Sequence, residues 1–172
     1  DFPEVDGKYD QVTEALWISN PLSLLEMKQN EDGGHFNIHM KAKVDITKTL
    51  TLRAFGSYSY RTDDDSHYYP TTVWSKGEAY RDHEKSEDLR GNLSLTYAIQ
   101  KKNFELSVMA LAEAELARKT GFKVTVTNFS TDAFGYDKLS AGATRPWDGT
   151  DSYYREARME SFLGRAQVSL WD

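Results

Sequence analysis

The sequence lacks cysteine, long apolar runs and an excess of basic residues. With no cysteine among 172 residues, neither a disulfide framework nor a thiolate metal site can form. No stretch approaches the roughly 18 consecutive apolar residues of a membrane-spanning helix. The 27 acidic and 21 basic residues give a formal net charge of −6, whereas nucleic-acid binding requires a cationic stripe facing the phosphates. The absences exclude a helical membrane protein and argue against a nucleic-acid partner.

The sequence does contain strict alternation of apolar and polar residues, which is typical of strands whose faces meet different surroundings. In the first run, Phe36 and Ile38 alternate with Asn37 and His39. Each run is close to the ~9–11 residues that a tilted strand needs to cross a bilayer, and longer than the usual soluble strand of about 5–6 residues. The runs cover residues 36–46, 50–61, 89–100, 104–116 and 162–171.

The connections between these runs alternate in length. Residues 47–49 and 101–103 form short connections, whereas residues 62–88 and 117–161 form long polar ones. Short turns at one end and long loops at the other are typical of outer-membrane barrels. The pattern therefore predicts an all-β fold in which consecutive antiparallel strands form part of a transmembrane β-barrel.

Aromatic residues on the apolar face provide a second indication of a membrane. If the long loops lie outside, the aromatic residues collect near the two interfaces, as in barrel girdles, while small and aliphatic residues occupy the middle. Those at the outer ends are Phe36, Tyr58, Tyr60 and Phe162, and those at the inner ends are Tyr97 and Phe104.

The first 35 residues follow a different pattern. Asn20 and Pro21 form a plausible helix N-cap and first helical position. The apolar segment that follows predicts a short helical turn, ending near Gly33 and Gly34. We interpret residues 1–35 as an extracellular loop segment and residues 36–172 as a five-stranded portion of the barrel.

A soluble β-sandwich that binds glycans is the alternative, because alternation alone also fits a sandwich core. Three features favour the membrane interpretation over it. The runs are long, the connections are strongly unequal, and bulky aromatic residues lie at the ends of the apolar face. A sandwich core would place its bulky residues at the centre.

Several motifs resemble the middle barrel region of SusC/RagA-family TonB-linked outer-membrane proteins. Their order and spacing carry the resemblance, which extends from residue 20 to residue 165. The motifs are Asn20-Pro21-Leu22, Tyr68-Tyr69-Pro70-Thr71, Phe129-Ser130-Thr131-Asp132-Ala133-Phe134-Gly135-Tyr136 with Leu139 and Ala141-Gly142-Ala143-Thr144, and Ser161-Phe162-Leu163-Gly164-Arg165.

The resemblance implies a 22-stranded barrel in the cell outer membrane, with a plug inside and a SusD-like lipoprotein over its mouth. It further implies TonB-dependent import of a glycan or an oligopeptide, without enzymatic activity or a cofactor. Five strands cannot close a barrel, and open edges in lipid leave backbone groups unpaired. We therefore expect the chain to be part of a longer polypeptide.

Three sets of polar residues invite a chemical interpretation, and each has a simpler one. The acidic run Asp63–Asp65 suggests calcium, but it lacks the ligand spacing of a calcium loop and suits a solvated loop tip. Glu113 and Glu115 lie on one strand face about 6.6 Å apart, close to a paired-carboxylate site. Barrel lumens are charged as a rule, however, so neither a catalytic nor a metal site is predicted.

Candidate site residues are therefore loop aromatics and lumen-facing charges. Loop aromatics can stack on sugar rings, pack the loops together or bind the lid protein, and the sequence leaves these roles open. The loop aromatics are Tyr68, Tyr69, Trp74, Tyr80, Trp147, Tyr153 and Tyr154. The lumen-facing charges are Arg53, Glu113, Glu115 and Arg165.

Overall fold

The computed structural model describes residues 4–5, 8–9, 23–73 and 76–170. Short strands β1 (Glu4–Val5) and β2 (Lys8–Tyr9) pair antiparallel by themselves. The main strands are β3 (Lys28–Asp45), β4 (Leu50–Tyr69), β5 (Glu78–Lys101), β6 (Phe104–Phe129), β7 (Gly142–Thr144) and β8 (Thr150–Leu170). Single 3-10 turns cover Ser23–Glu26, Gly135–Asp137 and Leu139–Ala141. Among the described residues, no helix is long and apolar enough to cross a membrane.

The six main strands form one antiparallel sheet in the order β3-β4-β5-β6-β7, with β8 also paired to β6. The predicted all-β fold of consecutive antiparallel strands is thus confirmed. Strand β7 was not predicted, because three residues are too few for a periodic pattern. It pairs with the end of β6 through Thr127 and Phe129, opposite Thr144 and Gly142 respectively.

Both short connections form tight hairpins at the predicted positions. Between β3 and β4, the Thr47 hydroxyl accepts hydrogen bonds from the amides of Thr49 (3.2 Å) and Leu50 (3.0 Å). The Leu50 carbonyl in turn accepts a bond of 2.9 Å from the Ile46 amide. A threonine side chain can satisfy turn amides in this way, which fixes where β4 begins.

The strands extend further than the alternation predicted. Strand β3 begins at Lys28, inside the segment interpreted as a loop, and β4, β5, β6 and β8 continue well into the ranges 62–88 and 117–161. Between these strands lie the connection 70–77, of which residues 74 and 75 are not described, and the connection 130–149, which includes β7. In β4 the alternation ends where both faces become polar, but backbone pairing does not require an apolar face. In β6 the alternation does continue, because Phe122, Val124 and Val126 are separated by polar residues, and this continuation was not recognised from the sequence.

The predicted helical turn is present as a single 3-10 turn at Ser23–Glu26. Its proposed cap, Asn20–Pro21, lies outside the described residues. The glycines Gly33 and Gly34 do not end it, because both lie within β3. The Thr72 hydroxyl donates a hydrogen bond to the Glu26 carboxylate, which ties this turn to the 70–77 connection.

The chain divides into two compact units that each contain parts of the same long strands. The two-faced unit comprises residues 35–61, 86–119 and 154–172. One face of its strands exposes large apolar side chains, among them Met40 (73% exposed) and Phe162 (81%). Soluble monomers rarely expose a contiguous apolar surface of this extent. Further exposed members are Phe36, Ile38, Val44, Leu89, Leu93, Leu95, Tyr97, Val108 and Val168.

The packed unit comprises residues 1–34, 62–85 and 120–153. It contains a small core built from Tyr68, Ala79, Val126 and Phe129. The Tyr68 and Phe129 rings meet edge to face, with centroids 5.3 Å apart. Partly buried side chains of the 130–149 connection complete this core, among them Tyr136, Leu139 and Ala141.

Candidate functional site

A row of four side chains runs across the polar face of the two-faced unit, one from each of β3 to β6. The row consists of Lys41, Phe55, Asn92 and Glu113, and we call it the cross-strand row. The Lys41 Nζ atom lies 6.0 Å from the centroid of the Phe55 ring. Lys41, Phe55 and Asn92 line a depression of about 380 Å³ on this face. Phe55, Asn92 and Glu113 also border a depression of about 400 Å³, which is lined mainly by residues of the apolar face, among them Leu93, Ala112 and Phe162.

The polar members of the cross-strand row form few bonds with neighbouring side chains. Within the described part of the chain, neither Lys41 nor Glu113 forms an ion pair, and the Asn92 amide makes no side-chain hydrogen bond. Phe55 is half-buried and lines the depression that also contains Lys41 and Asn92.

Charged residues of both signs line this polar face. Lys41, Lys43 and Arg53 line the same depression on β3 and β4, and the Lys43 Nζ atom lies 3.1 Å from the Asp45 carboxylate. Strand β6 contributes the carboxylates Glu113 and Glu115. Acids and bases thus occur on neighbouring strands, and some of them pair within the protein.

A second row lies beside the first. His39, Ser57 and Arg90 line a depression of about 450 Å³. The Arg90 guanidinium is 3.0 Å from the Glu115 carboxylate, so this row ends in an ion pair within the protein. Arg165, the remaining residue expected to face the lumen, donates a hydrogen bond of 3.1 Å to Gln167 on its own strand.

In the packed unit, Asp132 joins two of the motifs noted in the sequence. Its Oδ1 atom accepts hydrogen bonds from the Tyr68 hydroxyl (2.6 Å) and the Thr71 amide (3.0 Å). Its Oδ2 atom accepts a bond of 2.7 Å from the Thr71 hydroxyl. The motif that contains Asp132 is thus bonded directly to the motif Tyr68-Tyr69-Pro70-Thr71.

The electrostatics of this contact keep Asp132 ionised and Tyr68 neutral. Burial of Asp132 opposes its charge, but the hydrogen bonds from Tyr68 and Thr71 outweigh burial and lower its pKa. Burial, followed by the bond to Asp132, raises the pKa of Tyr68. Because Tyr68 is 0% exposed, it packs the connections together and does not contact an external ligand.

The acidic run lies within β4 and not at a loop tip, in contrast to the sequence-based expectation. Asp64 is 2.7 Å from the His83 ring nitrogen, and Asp65 is 2.9 Å from that of His67. The run escaped recognition as a strand because adjacent acids show no apolar alternation. No cluster of three or more metal-ligating side chains occurs in the described part of the chain.

Tyr80 packs within its own unit. Its ring stacks on His67 with centroids 5.3 Å apart, and its hydroxyl donates a bond of 3.0 Å to Asp82. Burial, then the bond to Asp82, raises the pKa of Tyr80 to about 12. Tyr80 is half-buried.

Tyr153 reaches across a neighbouring strand to bond a carboxylate. Its hydroxyl donates a hydrogen bond of 2.6 Å to Glu84 on β5, and its ring lies over Gly121 on β6. A Cβ atom at position 121 would be 2.8 Å from the ring. The absence of a side chain at Gly121 therefore permits this contact, and Tyr153 serves the packing of three strands.

The remaining loop aromatics differ in exposure. Trp147 is 94% exposed and Tyr154 is 62% exposed, although the Tyr154 hydroxyl donates to Glu156. Tyr69 is half-buried, and Trp74 lies outside the described residues. Trp147 is thus the described loop aromatic most accessible to a partner or substrate.

Sequence reasoning missed Asp132, Phe55 and Asn92 as site residues. The sequence showed Asp132 as part of a motif that resembles the family. It did not show that Asp132 would bond Thr71, which is 61 residues away in the sequence. Phe55 is a lone aromatic residue among polar neighbours on its strand face. This departure from the pattern was a signal that could have marked it as a candidate site residue. Asn92 carried no signal, because its role depends on strand register.

No family profile and no curated protein matches this chain. The structure of the RagAB peptide transporter matches with a TM-score of 0.76 at 16% identity, covering 88% of this chain and 17% of that one. The RagAB peptide importer gives 0.76 in its "closed-closed" state and 0.75 in its "open-open" state, at the same identity and coverage.

These matches show the fold. The chain spans 17% of the length of the chains it resembles, and it has the strand arrangement of one portion of those chains. Its fold is all-β, an antiparallel sheet of six strands.

Proposed function

We propose that this chain forms part of the wall of a TonB-dependent β-barrel that imports a nutrient across the outer membrane. In this proposal the chain acts in transport and not as an enzyme, its apolar face contacts lipid, and a SusD-like lipoprotein covers the 70–77 and 130–149 connections. Contact with TonB is assigned to parts of the transporter outside this chain.

The observation that carries the proposal is the difference between the two faces of one sheet. Met40 and Phe162 are strongly exposed on one face, while Lys41, Arg53 and Asn92 line a depression on the other. A wall between hydrocarbon and a water-filled lumen requires this arrangement. A soluble sandwich would instead bury its apolar face against a second sheet.

Strand length also supports the proposal. Strands β3 to β6 and β8 contain 18 to 26 residues, about twice the ~9–11 needed to cross a bilayer. Such strands can traverse the membrane and extend beyond it. Extended strands joined by packed connections are suited to forming a vestibule.

The transported nutrient is an oligopeptide or a glycan. The RagAB neighbours are a peptide transporter, and the charged polar face also favours peptides. Trp147 and the ring pair of Tyr80 and His67 are compatible with either class, because aromatic rings stack on sugars and on side chains alike.

A pair of arginine substitutions in the complete transporter tests this function. Val108→Arg places a charge on the proposed lipid face of β6 and should cost about 2–4 kcal/mol of barrel stability. Glu105→Arg on the opposite face of β6 should leave the barrel folded. Heat-modifiable migration of the outer-membrane fraction measures folding, and cellular uptake of labelled oligopeptides and oligosaccharides measures transport.

Folded barrel should decrease for Val108→Arg alone, and uptake by the native protein should stop when an uncoupler removes the energy supply to TonB. Equal tolerance of arginine at both positions would contradict the lipid assignment. Uptake that persists in uncoupled cells would contradict TonB dependence.

A further inference from the structure

We infer that the apolar face of the two-faced unit binds one phospholipid with a zwitterionic headgroup at a defined site. Its acyl chain lies in a groove between small residues, its phosphate meets Arg118 and Arg158, and its ammonium group meets Glu160. The site rests on the proposed function, because this face must lie in lipid for a phospholipid to reach it.

The groove crosses the central strands of the apolar face. A depression of about 620 Å³ is lined mainly by residues of this face, among them Gly56, Leu89, Gly91, Ala114 and Leu116. The neighbouring depression of about 400 Å³ shares Gly91 and Ala114 with it. The two therefore form one groove, which we call the outward groove. The larger depression alone is within the range of about 300–1,000 Å³ that is usual for ligand sites.

The outward groove is formed where side chains are missing. Among the described residues, nothing lies within 4 Å of a Cβ atom placed on Gly56, and at Gly91 the nearest atom is the Phe55 carbonyl oxygen at 3.7 Å. Packing within the sheet therefore does not exclude a side chain at either position. A larger residue would instead fill the groove, so the two glycines keep an apolar space open beside Leu89.

The strands that surround this groove all belong to the chain. Strands β5 and β6 are neighbours in the sheet, β4 pairs with β5 on one side, and β8 pairs with β6. The groove opens on the face opposite to the polar one. In the proposed barrel that face meets hydrocarbon and not the lumen, so the medium around the groove itself supplies acyl chains.

Two arginines lie at the outer end of the same face. Arg118 is the next residue on this face of β6 after Leu116, and Arg158 lies two such positions beyond Phe162 on β8. Arg158 also borders the larger depression. Residues just past the apolar band of a barrel wall are at the level of the lipid headgroups, where phosphate groups are found.

Glu156 holds these two arginines side by side. It accepts a bond of 2.8 Å from the Arg118 Nε atom, and its Oε1 atom is 2.7 Å from the Nε and Nη2 atoms of Arg158. A guanidinium group has five N–H donors, so these bonds use only part of each group. The remaining donors suit phosphate oxygens, which guanidinium groups bind through paired N–H groups.

Neighbouring carboxylates favour a zwitterionic headgroup over an anionic one. Glu160 borders the larger depression beside Arg158. Glu87 interacts electrostatically with Arg118 and accepts a bond of 3.1 Å from the Tyr58 hydroxyl. The acids offset the charge of the arginines, so a purely anionic headgroup gains little net attraction. A headgroup with a phosphate and an ammonium group can bond the arginines and Glu160 together.

Native mass spectrometry of the purified complete transporter in detergent tests the site. The probes are dioleoylphosphatidylethanolamine, dioleoylphosphatidylglycerol, which lacks the ammonium group, and dioleoylglycerol, which also lacks the phosphate. Loss of hydrogen bonds to a charged group should weaken binding about tenfold at each step. Glycerophosphoethanolamine, which has the headgroup without acyl chains, should bind more weakly than the intact phospholipid.

Variants separate the parts of the site. Arg118→Met and Arg158→Met should each reduce the preference for phosphate about tenfold, and each leaves Glu156 paired with the other arginine. Glu160→Gln should remove the preference for ethanolamine over glycerol and no other. Arg145→Met, at an exposed position of the 130–149 connection, is the control and should change neither preference.

A second pair of variants tests the groove. Ala114→Leu should fill it and weaken binding of all three lipids. Ala166→Leu is the matched control, because Ala166 is exposed on the same apolar face of β8 but does not line the groove. Heat-modifiable migration confirms that every variant is folded.

Equal binding of the three lipids by the native protein would overturn the site, as would equal losses in the control and site variants. A smaller assembly of Arg118→Met with unchanged lipid binding would instead make this face an interface between copies of the chain. If headgroup preference is absent but Val108→Arg still reduces folded barrel, the site fails and the proposed function stands. Headgroup-dependent binding without nutrient uptake refutes import and leaves the lipid site standing.

Discussion

At the residue scale, Asp132 shows how a single half-buried carboxylate can hold irregular chain segments together. It accepts three hydrogen bonds from Tyr68 and Thr71. A buried polar group without its partner loses its solvation and gains nothing in return. Both partners must therefore be present for the 130–149 connection to pack on the small core.

The first prediction concerns removal of this acceptor. Asp132→Ala leaves the buried Tyr68 hydroxyl unpaired and should destabilise the packed unit by about 1–3 kcal/mol. Hydrogen exchange of the Phe129 and Ala141 amides should become faster. Asp137→Ala, at an exposed position of the same connection, is the control and should leave exchange unchanged. If both variants exchange equally fast, Asp132 does not anchor the connection.

The same contact predicts a pH dependence. The folded-state pKa of Asp132 is lowered below its ordinary value of 3.8, so its stabilising contribution is complete above that value. The contribution is lost as the pH falls through the lowered pKa. Below about pH 4, hydrogen exchange of the Phe129 amide should therefore become faster than the intrinsic pH dependence of amide exchange accounts for. Asp132→Asn should remove this additional acceleration.

At the scale of secondary-structure elements, Gly121 determines how three strands are joined. The Tyr153 ring from β8 crosses over it to reach Glu84 on β5. Glycine in a strand interior often marks the close approach of another group. In this strand the approaching group is a side chain of the protein.

The second prediction is that Gly121→Ala disrupts the Tyr153–Glu84 contact. The new Cβ would lie 2.8 Å from the Tyr153 ring, and overpacking of this kind costs about 1–3 kcal/mol. Gly164→Ala is the matched control, because nothing lies within 4 Å of a Cβ at that position of β8. Denaturant unfolding in detergent measures both variants.

A double-variant cycle separates this effect from strand propensity. If steric conflict with the ring is the cause, Gly121→Ala should cost much less in a Tyr153→Ser background. A cost that is the same in both backgrounds would show that the contact over Gly121 is unimportant.

The strands and both short turns could be predicted from the sequence, because alternation reports two different surroundings. The extension of β4 through Asp63–Asp65 could not, since both of its faces are polar there. The charges at Arg53 and Glu113 were identified by strand face alone. Their grouping into rows could not be predicted, because it requires the register between strands that are far apart in sequence.

At the scale of the whole molecule, recognition by the proposed transporter is divided between two kinds of surface. The charged rows belong to the sheet, where rigid strands fix the spacing between opposite charges. Exposed aromatic residues belong to the connections, where binding residues commonly concentrate. Trp147 is the strongest example, because it is 94% exposed.

The turn that carries Trp147 is well anchored despite this exposure. The Gly149 amide donates to the Pro146 carbonyl at 3.0 Å, and the Thr125 amide donates to the Gly149 carbonyl at 2.6 Å. A rigid aromatic residue buries a large area at low entropic cost when it meets a partner. Trp147 therefore combines the exposure and the preorganisation of an interface anchor.

The third prediction is that Trp147→Ala leaves barrel assembly intact but weakens association of the covering lipoprotein or uptake of nutrient. Interface anchors of this type contribute about 2 kcal/mol or more, so co-purification of the lipoprotein should fall severalfold. Phe134→Ala is the matched control, because Phe134 is 46% exposed and its ring is already in contact with Lys138. Trp147 has no role in recognition if Trp147→Ala changes neither co-purification nor uptake. The same conclusion follows if the variant yields less folded barrel but unchanged uptake per folded molecule.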